Sequence, residues 1–330
     1  MNILLSRTDR LGDLILSTPA IATVRRSFPG ARISMVCSAY NRIVVERNSD
    51  VDELVTLPPN CSPRKLGTRY AGRCDIAIAL APRAVDFAVV GASRAPLRLG
   101  YTYVRRYLAR ATAWRDLSRV ALSHADPYLS ERDAHRHVRH EVNELIDLVG
   151  LAGARHRVSE LRVDIDDEDR RFVAAFPSGA IAFHLAQRWL REGSSLASTL
   201  ALLRTLRTLG RPLIVTSGVE CALAAACVRE ARVADAVAEH LTFHQWAALF
   251  EKSACVVTVD TAATHLASAM RRPTVVAFEH RYFRLSSQEW APYGVPSVLI
   301  QKPADCSDAL LAALRTGVVS AVSTLLDVTI

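Results

Sequence analysis

A strand–helix–strand pattern between residues 254 and 278 constrains the fold more than any other part of the chain. Cys255–Val259 and Thr274–Phe278 are short, continuous apolar runs rich in β-branched residues, which is typical of strands buried on both faces of a parallel sheet. Between them, residues 261–270 are rich in small helix-forming side chains, and Pro273 ends the helix. The stretch therefore predicts a βαβ unit within an α/β protein.

A polar elbow follows the first of these strands, with the sequence D-T-A-A-T-H at residues 260–265. The carboxyl ends of parallel strands are where open α/β sheets bind their ligands. A helix that begins there offers unpaired backbone N–H groups and a partial positive charge, and small side chains let an anion approach the backbone. We therefore expect the elbow to bind a diphosphate.

The rest of the chain also alternates strands with helices, which predicts doubly wound parallel sheets in two α/β domains. Further strands are expected at residues 2–6, 33–37, 51–57, 74–80 and 97–101 in the first half, and at residues 180–184, 212–217 and 298–300 in the second. A linker around residues 152–161 gives domains at 1–157 and 158–330. A C-terminal helix at residues 306–326 could pack back on the first domain.

Three segments of the first half depart from this regular pattern. The T-P pair at residues 18–19 is typical of an N-cap followed by proline, so the regular part of a helix over residues 13–28 is expected to begin there. Residues 102–127 are rich in arginine and have a weak pattern, so we expect irregular, substrate-facing structure. A capping-box pattern at residues 130–133 predicts a helix that runs to about residue 149.

Charge and cysteine content limit the classes of partner and compartment. A net charge of +8 favours an anionic partner, and a nucleotide sugar, a phosphorylated lipid acceptor and an anionic membrane surface fit equally well. Nucleic acid is not expected, because the positive charges are dispersed and no nucleic-acid motif is present. The seven cysteines are scattered without a C-x-x-C pair, which indicates reduced thiols in the cytoplasm. The sequence shows neither a signal peptide nor a run of about 18 apolar residues, so no membrane span is expected.

The sequence predicts no redox cofactor and no metal site. Neither half has G-x-G-x-x-G after its first strand, which argues against a nicotinamide dehydrogenase. His135, His137 and His140 lack the i, i+4 spacing that brings two metal ligands together on a helix, and the arginines between them indicate a basic helix face. No D-x-D sequence stands in a metal-binding context.

Two stretches resemble patterns of one known family. Residues 260–278 read D-T-A-A-T-H-L-A-S-A-M-R-R-P-T-V-V-A-F, which resembles a segment of glycosyltransferase family 9, the ADP-heptose heptosyltransferases of lipopolysaccharide synthesis. Residues 7–13 read R-T-D-R-L-G-D and continue as L-S-T-P-A-I-A-T-V-R-R-S-F-P, which is similar to that family's N-terminal pattern. The resemblance implies a GT-B fold, in which two Rossmann-like domains face a central cleft, the acceptor domain first and the nucleotide-sugar domain second.

The resemblance places a general base at Asp13, the aspartate of the L-G-D sequence. Inverting transfer of a sugar to a hydroxyl group needs one carboxylate within hydrogen-bond reach of that hydroxyl. A helix N-terminus stabilises an ionised carboxylate by roughly 0.3–1 kcal/mol, so we expect Asp13 to be unprotonated at neutral pH. Two alternatives stay open, in which Asp13 only caps the helix or Asp9 is the base. Arg7, Arg10 and Gly12 are the predicted acceptor-binding residues.

The donor site that the resemblance implies lies in the second half. The predicted donor-binding residues are Gln187, Arg188, Glu220, Asp260, Thr261, Ala262, Ala263 and His265. Gln187 stands where the family has a phosphate-binding lysine, and Arg188 is expected to supply the charge, since a guanidinium binds diphosphate well. Ala262 replaces the usual glycine, and Glu220 is expected to hold the ribose. Asp260 is expected to order the elbow by accepting backbone N–H bonds.

The sequence therefore predicts an inverting glycosyltransferase that transfers a heptose from ADP-heptose to a lipopolysaccharide-type or related glycan acceptor. Its expected partners are the nucleotide sugar, an anionic glycolipid or glycan, and the inner face of the cytoplasmic membrane. No cofactor or metal is required, because helix ends and cations handle the diphosphate in this family. Two alternatives stay open: a relative that uses another nucleotide sugar or a non-lipid acceptor, and a nucleotide-sugar-binding homologue with weak catalysis.

Overall fold

Parallel strand pairing builds two separate sheets. The computed structural model describes residues 1–104, 106–123 and 138–327. The chain divides into the units Met1–Val163 and Asp164–Ile330, whereas the predicted division falls after residue 157. Each unit contains one six-stranded sheet in which all neighbouring strands pair in parallel. The predicted α/β class with two doubly wound sheets is confirmed.

The first unit contains a sheet whose middle strand is the first in the chain. Its strands are β1 Asn2–Ser6, β2 Arg32–Ser38, β3 Glu53–Leu57, β4 Ile76–Ala79, β5 Leu97–Tyr103 and β6 Arg119–Ser123. Its helices are α1 Leu11–Ser27, α2 Pro63–Gly67, α3 Ala84–Ala92, α4 Tyr107–Asp116 and α5 Glu141–Gly150. The spatial order is β3-β2-β1-β4-β5-β6, the order of a dinucleotide-binding Rossmann sheet.

The second unit repeats this topology. Its strands are β7 Ile181–Leu185, β8 Leu213–Ser217, β9 Ala236–Ala238, β10 Cys255–Val259, β11 Thr274–Phe278 and β12 Ser297–Gln301. Its helices are α6 Asp167–Phe172, α7 Leu196–Leu206, α8 Ala222–Glu230, α9 Phe243–Glu251, α10 Ala262–Ala269, α11 Phe283–Glu289 and α12 Asp308–Asp327. The spatial order is β12-β11-β10-β7-β8-β9, so β7 holds the middle place that β1 holds in the first sheet.

Most of the predicted strands are correct. The bounds of β1, β10 and β11 agree with prediction at both ends, and those of the other predicted strands agree within two residues. The agreement is best where apolar, β-branched runs fill a strand that is buried on both faces, as in β10 and β11. The sequence pattern missed β6, β9 and several helices, which are short or largely exposed.

The first helix lies within two residues of the predicted range 13–28, but its regular part does not begin at the T-P pair as predicted. α1 begins at Leu11, and Pro19 lies inside it. A proline in a helix interior lacks the N–H that would bond to the carbonyl four residues earlier. Here the Thr18 hydroxyl donates to that carbonyl, on Ile15, at 2.7 Å. The helix therefore continues through the T-P pair because a side chain supplies the missing donor.

The prediction of irregular structure over residues 102–127 is wrong for the part that the structure describes. α4 and β6 occupy most of residues 107–123, and residues 124–127 lie outside the described residues. α4 buries only the small Ala113 and the paired Asp116, so its sequence lacks the usual apolar period.

The helix expected from residue 130 begins later, at Glu141. His140 is its N-cap, and its ring Nδ1 accepts the backbone N–H of Val142. The helix end at Gly150 agrees with prediction. The capping-box pattern, together with His135 and His137, lies outside the described residues.

α12 is the C-terminal helix, and it packs against the second sheet and α7. In the described part of the chain it is also the one helix long and apolar enough to cross a membrane, by length and composition alone. No membrane span is expected from the sequence, but α12 has only three charged residues in its 20 positions. Leu314, Val318 and Val322 belong to the hydrophobic core of the second unit. Packing of this helix on the first unit stays a prediction.

Candidate functional site

Charged loops follow the middle strand of each sheet. Helices leave neighbouring strands toward opposite faces at this switch point, and ligands bind outside the carboxyl ends of the strands there. In the first sheet the switch point lies between β1 and β4, and in the second between β7 and β10. Asp13 follows β1, Arg188 follows β7, and the elbow follows β10. The topology therefore places the main predicted site residues of each unit at its switch point.

Arg7, the first residue after β1, is the centre of a buried polar cluster. Its side chain is 2% exposed. Nε lies 3.0 Å from Oδ1 of Asp9, and Nη1 lies 3.0 Å from Oε1 of Glu141. The Tyr101 hydroxyl donates to the same Glu141 oxygen at 2.7 Å. A buried charge is tolerated when it is paired and hydrogen-bonded, and Arg7 meets this condition inside the protein.

Asp13 lies in the first turn of α1, where its Oδ2 is 3.9 Å from Nη2 of Arg7. Burial, and next the negative charge of Asp9, raise the pKa of the Asp13 carboxyl to about 7, against the opposing charge of Arg7. A pKa near 7 leaves this carboxyl partly protonated at neutral pH, whereas the helix N-terminus was expected to keep it unprotonated. Desolvation is the larger effect. A carboxyl with a pKa near the working pH is well suited to exchange a proton with a substrate hydroxyl.

The three predicted acceptor-binding residues have different surroundings. Arg7 is buried and paired, and its contacts suit a role in holding Asp13 rather than one in direct binding. Arg10 is exposed and precedes α1, and Gly12 is buried in the first turn of that helix. Their binding of an acceptor stays a prediction, with Arg10 the best placed of the three.

A further buried carboxyl, which the sequence analysis missed, lies beneath the same loop. Asp86, in α3, is fully buried and accepts hydrogen bonds from the hydroxyls of Ser6 at 2.7 Å and Thr8 at 3.1 Å. Burial, and next the charge of Asp9, raise the pKa of the Asp86 carboxyl to about 6. These hydrogen bonds fix the loop between β1 and α1, which leads to Asp13 in the first turn of α1.

In the second unit, charged residues follow five neighbouring strands along one edge of the sheet. In spatial order from β12 to β8, they are Lys302, Glu279, Asp260, Arg188 and Glu220. Three of them were predicted from the sequence, and Glu279 and Lys302 were missed. Both missed residues directly follow a strand, and that position is the signal that could have identified them.

Arg188 and Asp260 join across the switch point of this sheet. Nη1 of Arg188 lies 2.5 Å from Oδ2 of Asp260 and 2.5 Å from the backbone carbonyl oxygen of the same residue. Nε of Arg188 lies 3.5 Å from Oε1 of Glu279. Burial raises the pKa of the Glu279 carboxyl, although Arg188 opposes this rise. Asp260 was expected to bind backbone amides, whereas the partner that the structure gives it is this guanidinium.

The elbow itself forms the beginning of α10. Thr261 is the N-cap residue, and its side chain makes no capping bond; its hydroxyl donates to the carbonyl of Val259 instead. The amides at Ala262 and Ala263 therefore lack a side-chain cap, as an anion site at a helix N-terminus requires. Their contact with a diphosphate stays a prediction.

The other predicted donor residues surround this edge. Gln187 is exposed and His265 is buried in α10. Glu220 is exposed and folds over Gly218, where an added Cβ would lie 2.2 Å from Oε2 of Glu220, so a side chain there would displace the carboxylate. His184, the first residue of the H-L-A-Q-R-W segment, has its Nδ1 3.0 Å from the Thr216 hydroxyl. Burial lowers the pKa of His184 to about 4, so its ring is neutral at pH 7.

The described residues contain no group of three or more His, Cys, Asp or Glu side chains that could hold a metal ion. The side chains of Asp260 and Glu279, at the strand ends of the second sheet, are paired with the Arg188 guanidinium.

Comparison with known proteins tests the predicted family. The model of glycosyltransferase family 9 (heptosyltransferase) matches residues 203–309, a segment that includes the elbow. The resemblance to glycosyltransferase family 9 is confirmed. The match supports a glycosyltransferase as the class of enzyme. A comparison with curated proteins gives no match.

Solved structures show the same fold over the whole chain. A family 9 glycosyl transferase from Veillonella parvula is 18% identical, with a TM-score of 0.78 and coverage of 98% of this chain and 97% of that chain. The E. coli ADP-heptose lps heptosyltransferase II is 17% identical, with a TM-score of 0.75 and coverage of 99% and 98%. The E. coli heptosyltransferase WaaC with ADP is 17% identical, with a TM-score of 0.71 and coverage of 97% and 100%. At this identity the three structures establish the fold.

Proposed function

We propose that the chain transfers a heptose from ADP-heptose to a hydroxyl group of a lipopolysaccharide-type or related glycan acceptor, with inversion at the anomeric carbon. One observation carries the proposal: the segment that matches the heptosyltransferase family contains the elbow at residues 260–265, and this elbow meets Arg188 at the switch point of the second sheet. The fold neighbours described with ADP or ADP-heptose agree with this choice of donor.

The second unit supplies the groups that a nucleotide diphosphate needs. A guanidinium and backbone N–H groups at a helix start are strong donors to phosphate oxygens. Arg188 and the amides of Ala262 and Ala263 provide both at one strand edge. Charge develops on the diphosphate as the bond to the sugar breaks, so these donors would stabilise the leaving group. Asp260 would orient Arg188, and Glu220 would hold the ribose.

The first unit supplies the base. Asp13 would accept the proton of the acceptor hydroxyl as its oxygen attacks the anomeric carbon. Its pKa of about 7 lets it hold and release a proton near neutral pH. Arg7 holds the Asp13 carboxylate from within the protein, while Arg10, at the surface, would bind an anionic group of the acceptor.

The membrane contact that such an acceptor requires is proposed for α4. Tyr107, Leu108 and Trp114 are 76%, 88% and 56% exposed, although large apolar side chains usually face the core. The Arg110 guanidinium lies 4.8 Å from the ring centre of Trp114 and 5.8 Å from that of Tyr107. Aromatic rings beside arginines suit the boundary between lipid headgroups and acyl chains, where both kinds of side chain are favoured.

Calorimetric binding of ADP, UDP, GDP and dTDP to the purified chain tests the donor assignment. We expect micromolar binding of ADP, weaker binding of the others, and loss of ADP binding in Arg188→Ala. Release of ADP from ADP-heptose in the presence of a lipopolysaccharide-core glycolipid then tests transfer. Preference for another nucleotide would overturn the ADP-heptose assignment. Binding of ADP without transfer to any glycan acceptor would indicate a nucleotide-sugar-binding homologue.

A further inference from the structure

The turn that carries Arg188, residues 187–194, is held in place by a residue that follows β12, the outermost strand of the same sheet. Lys302 follows β12 and is fully buried. Its ammonium group donates hydrogen bonds to the backbone carbonyls of Arg188 and Arg191, the second at 2.6 Å. The Ser194 hydroxyl donates to the same two carbonyls at 3.3 Å and 3.1 Å. One buried cation therefore links both ends of the segment that presents Arg188.

The turn also fits closely against the backbone that follows Lys302. Gly193 has a φ of +75°, and a Cβ added there would lie 1.9 Å from the carbonyl oxygen of Pro303. A side chain at residue 193 is therefore excluded by both the backbone conformation and the available space. The Cys306 thiol approaches the Ser194 carbonyl at 3.7 Å. These contacts show that the Arg188 turn packs closely against the segment that follows β12.

A buried ammonium group is costly unless it is paired, so its environment is informative. The titratable groups that face Lys302 are the side chains of Glu279, Glu192, Arg188 and Cys306. Burial lowers the pKa of Lys302 to about 8, while the carboxylates of Glu279 and Glu192 oppose this fall. Lys302 therefore carries most of its positive charge at pH 7, and that charge lies beneath the predicted diphosphate site.

We propose that Lys302 is a positioning residue for donor binding: it fixes the Arg188 turn in the conformation from which the guanidinium reaches the diphosphate. The inference rests on the proposed function for the identity of the ligand. The contact between Lys302 and the turn does not depend on that identity. Gln187, the first residue of the turn, is uncharged, and Lys302 brings a cation to the same turn from another strand.

A matched control exists within the same unit. The Lys252 ammonium group also donates to three backbone carbonyls, those of Val173, Ala174 and Phe176, at 2.9, 3.3 and 2.6 Å. These carbonyls belong to a turn that carries none of the predicted donor residues. Lys252→Met and Lys302→Met therefore remove the same kind of bonding from two different turns.

Amide hydrogen exchange followed by mass spectrometry tests the positioning step without any ligand. In Lys302→Met we expect exchange in residues 187–194 to accelerate by about tenfold or more, because opening the turn no longer breaks the ammonium bonds. In Lys252→Met we expect faster exchange near residues 173–176. Exchange in the Arg188 turn should stay as fast as it is in the unaltered chain. Unchanged exchange at residues 187–194 in Lys302→Met would overturn the proposal.

Calorimetric binding of ADP to the same variants tests the consequence for the donor. We expect Lys302→Met to bind ADP about tenfold more weakly or worse and Lys252→Met to bind it as the unaltered chain does. Faster exchange with unchanged ADP affinity would show that Lys302 has only a structural role, which contradicts the proposal. If the unaltered chain binds no nucleotide, the proposed function fails, and the exchange result still decides whether Lys302 positions the turn.

The dependence of ADP affinity on pH separates positioning by charge from simple packing. As the pH rises from about 7 to about 9, Lys302 loses its proton and its positive charge, which weakens its hydrogen bonds to the two carbonyls, so ADP affinity should fall. Lys302→Arg keeps its charge over this range, so its affinity should change less with pH. This variant also serves if Lys302→Met does not fold. An equal fall with pH in the unaltered chain and in Lys302→Arg would contradict the assignment.

Discussion

Nη2 of Arg7 lies 3.9 Å from Oδ2 of Asp13, and both side chains stand at the switch point of the first sheet. At this distance the guanidinium attracts the carboxylate without forming a direct hydrogen bond to it. The same guanidinium has Asp9 and Glu141 as closer partners. Asp13 is therefore ionised less readily than a carboxylate with an arginine of its own, and its protonation depends on the neighbouring acids.

Replacement of the proposed base should abolish transfer without affecting nucleotide binding. We expect Asp13→Asn to lower the rate of transfer by about 10²–10⁴-fold, the usual contribution of a positioned base. The rate in the unaltered chain should rise with pH through about 7, because the base acts only after it has lost its proton. Initial rates of ADP release across this pH range test both points. A variant with an unaltered rate would favour Asp9 as the base.

The raised pKa of Asp13 also predicts an effect on stability that needs no substrate. A carboxyl whose pKa is higher in the folded chain favours folding at low pH, and this contribution is lost as the pH rises toward 7. Asp13→Asn removes the cost of the buried charge, so the variant should be more stable than the unaltered chain at pH 8, by on the order of 2 kcal/mol. At pH 4 the gain should vanish. Thermal unfolding at both pH values measures the difference, and equal gains would contradict the pKa assignment.

Glu141 should contribute to the pH at which Asp13 becomes active, after the larger effects of burial and of the Asp9 charge. Its negative charge raises the pKa of Asp13, so Glu141→Gln should move the rise of the transfer rate to lower pH, by about half a unit to one unit. Tyr101→Phe is the matched control, because it removes the hydrogen bond to Glu141 and leaves the carboxylate charge in place. A shift of equal size in both variants would mean that packing, not charge, controls the base.

The two switch points and several of their charged residues were predictable from the sequence, whereas the partner that Arg7 finds in a distant part of the chain was not. β10, α10 and β11 could be located because each is a local pattern: two apolar strands, small helix formers and a terminating proline. Arg7 and Asp13 are likewise close in sequence. Glu141 is 134 residues from Arg7 in the sequence, and the two meet because α5 packs on α1. A local sequence pattern cannot predict such a contact.

Exposure explains most of the missed elements. Periodicity predicts a helix when one face is apolar and buried, and α4 has the opposite arrangement, with Ala113 inside and Trp114 outside. The ionisation state of Asp13 was missed for a related reason. The helix N-terminus is visible in a sequence, but desolvation depends on the neighbours that tertiary packing supplies.

Glu279 should weaken donor binding, because its carboxylate competes with the diphosphate for Arg188. Oε1 of Glu279 lies 3.5 Å from Nε of Arg188. We expect Glu279→Gln to bind ADP severalfold more tightly, since one competing negative charge is removed. The pKa of the Glu279 carboxyl is raised by burial, so ADP affinity in the unaltered chain should increase as the pH falls and this carboxyl is protonated. The increase should be smaller in Glu279→Gln.

Glu251→Gln is the control for this change. Glu251 forms a comparable ion pair with Arg170, at 2.8 Å, on another face of the same unit. Calorimetry over a range of pH should show the same ADP affinity for this variant as for the unaltered chain at each pH. Weaker binding in Glu279→Gln would instead show that the carboxylate holds Arg188 in its productive position.

The exposed side of α4 should bind anionic membranes. Trp114 and Tyr107 can enter the headgroup region while Arg110 and Arg115 meet lipid phosphates, each arginine contributing about 1 kcal/mol near an anionic surface. The chain should therefore sediment with vesicles of anionic phospholipid, less with zwitterionic vesicles, and less again at high salt, where charges are screened.

Arg110→Glu combined with Trp114→Ser should remove most of this binding. Leu223→Ser, which alters an exposed apolar residue of α8 in the second unit, is the control and should sediment as the unaltered chain does. Equal sedimentation of the α4 double variant and the control would assign membrane binding to another surface.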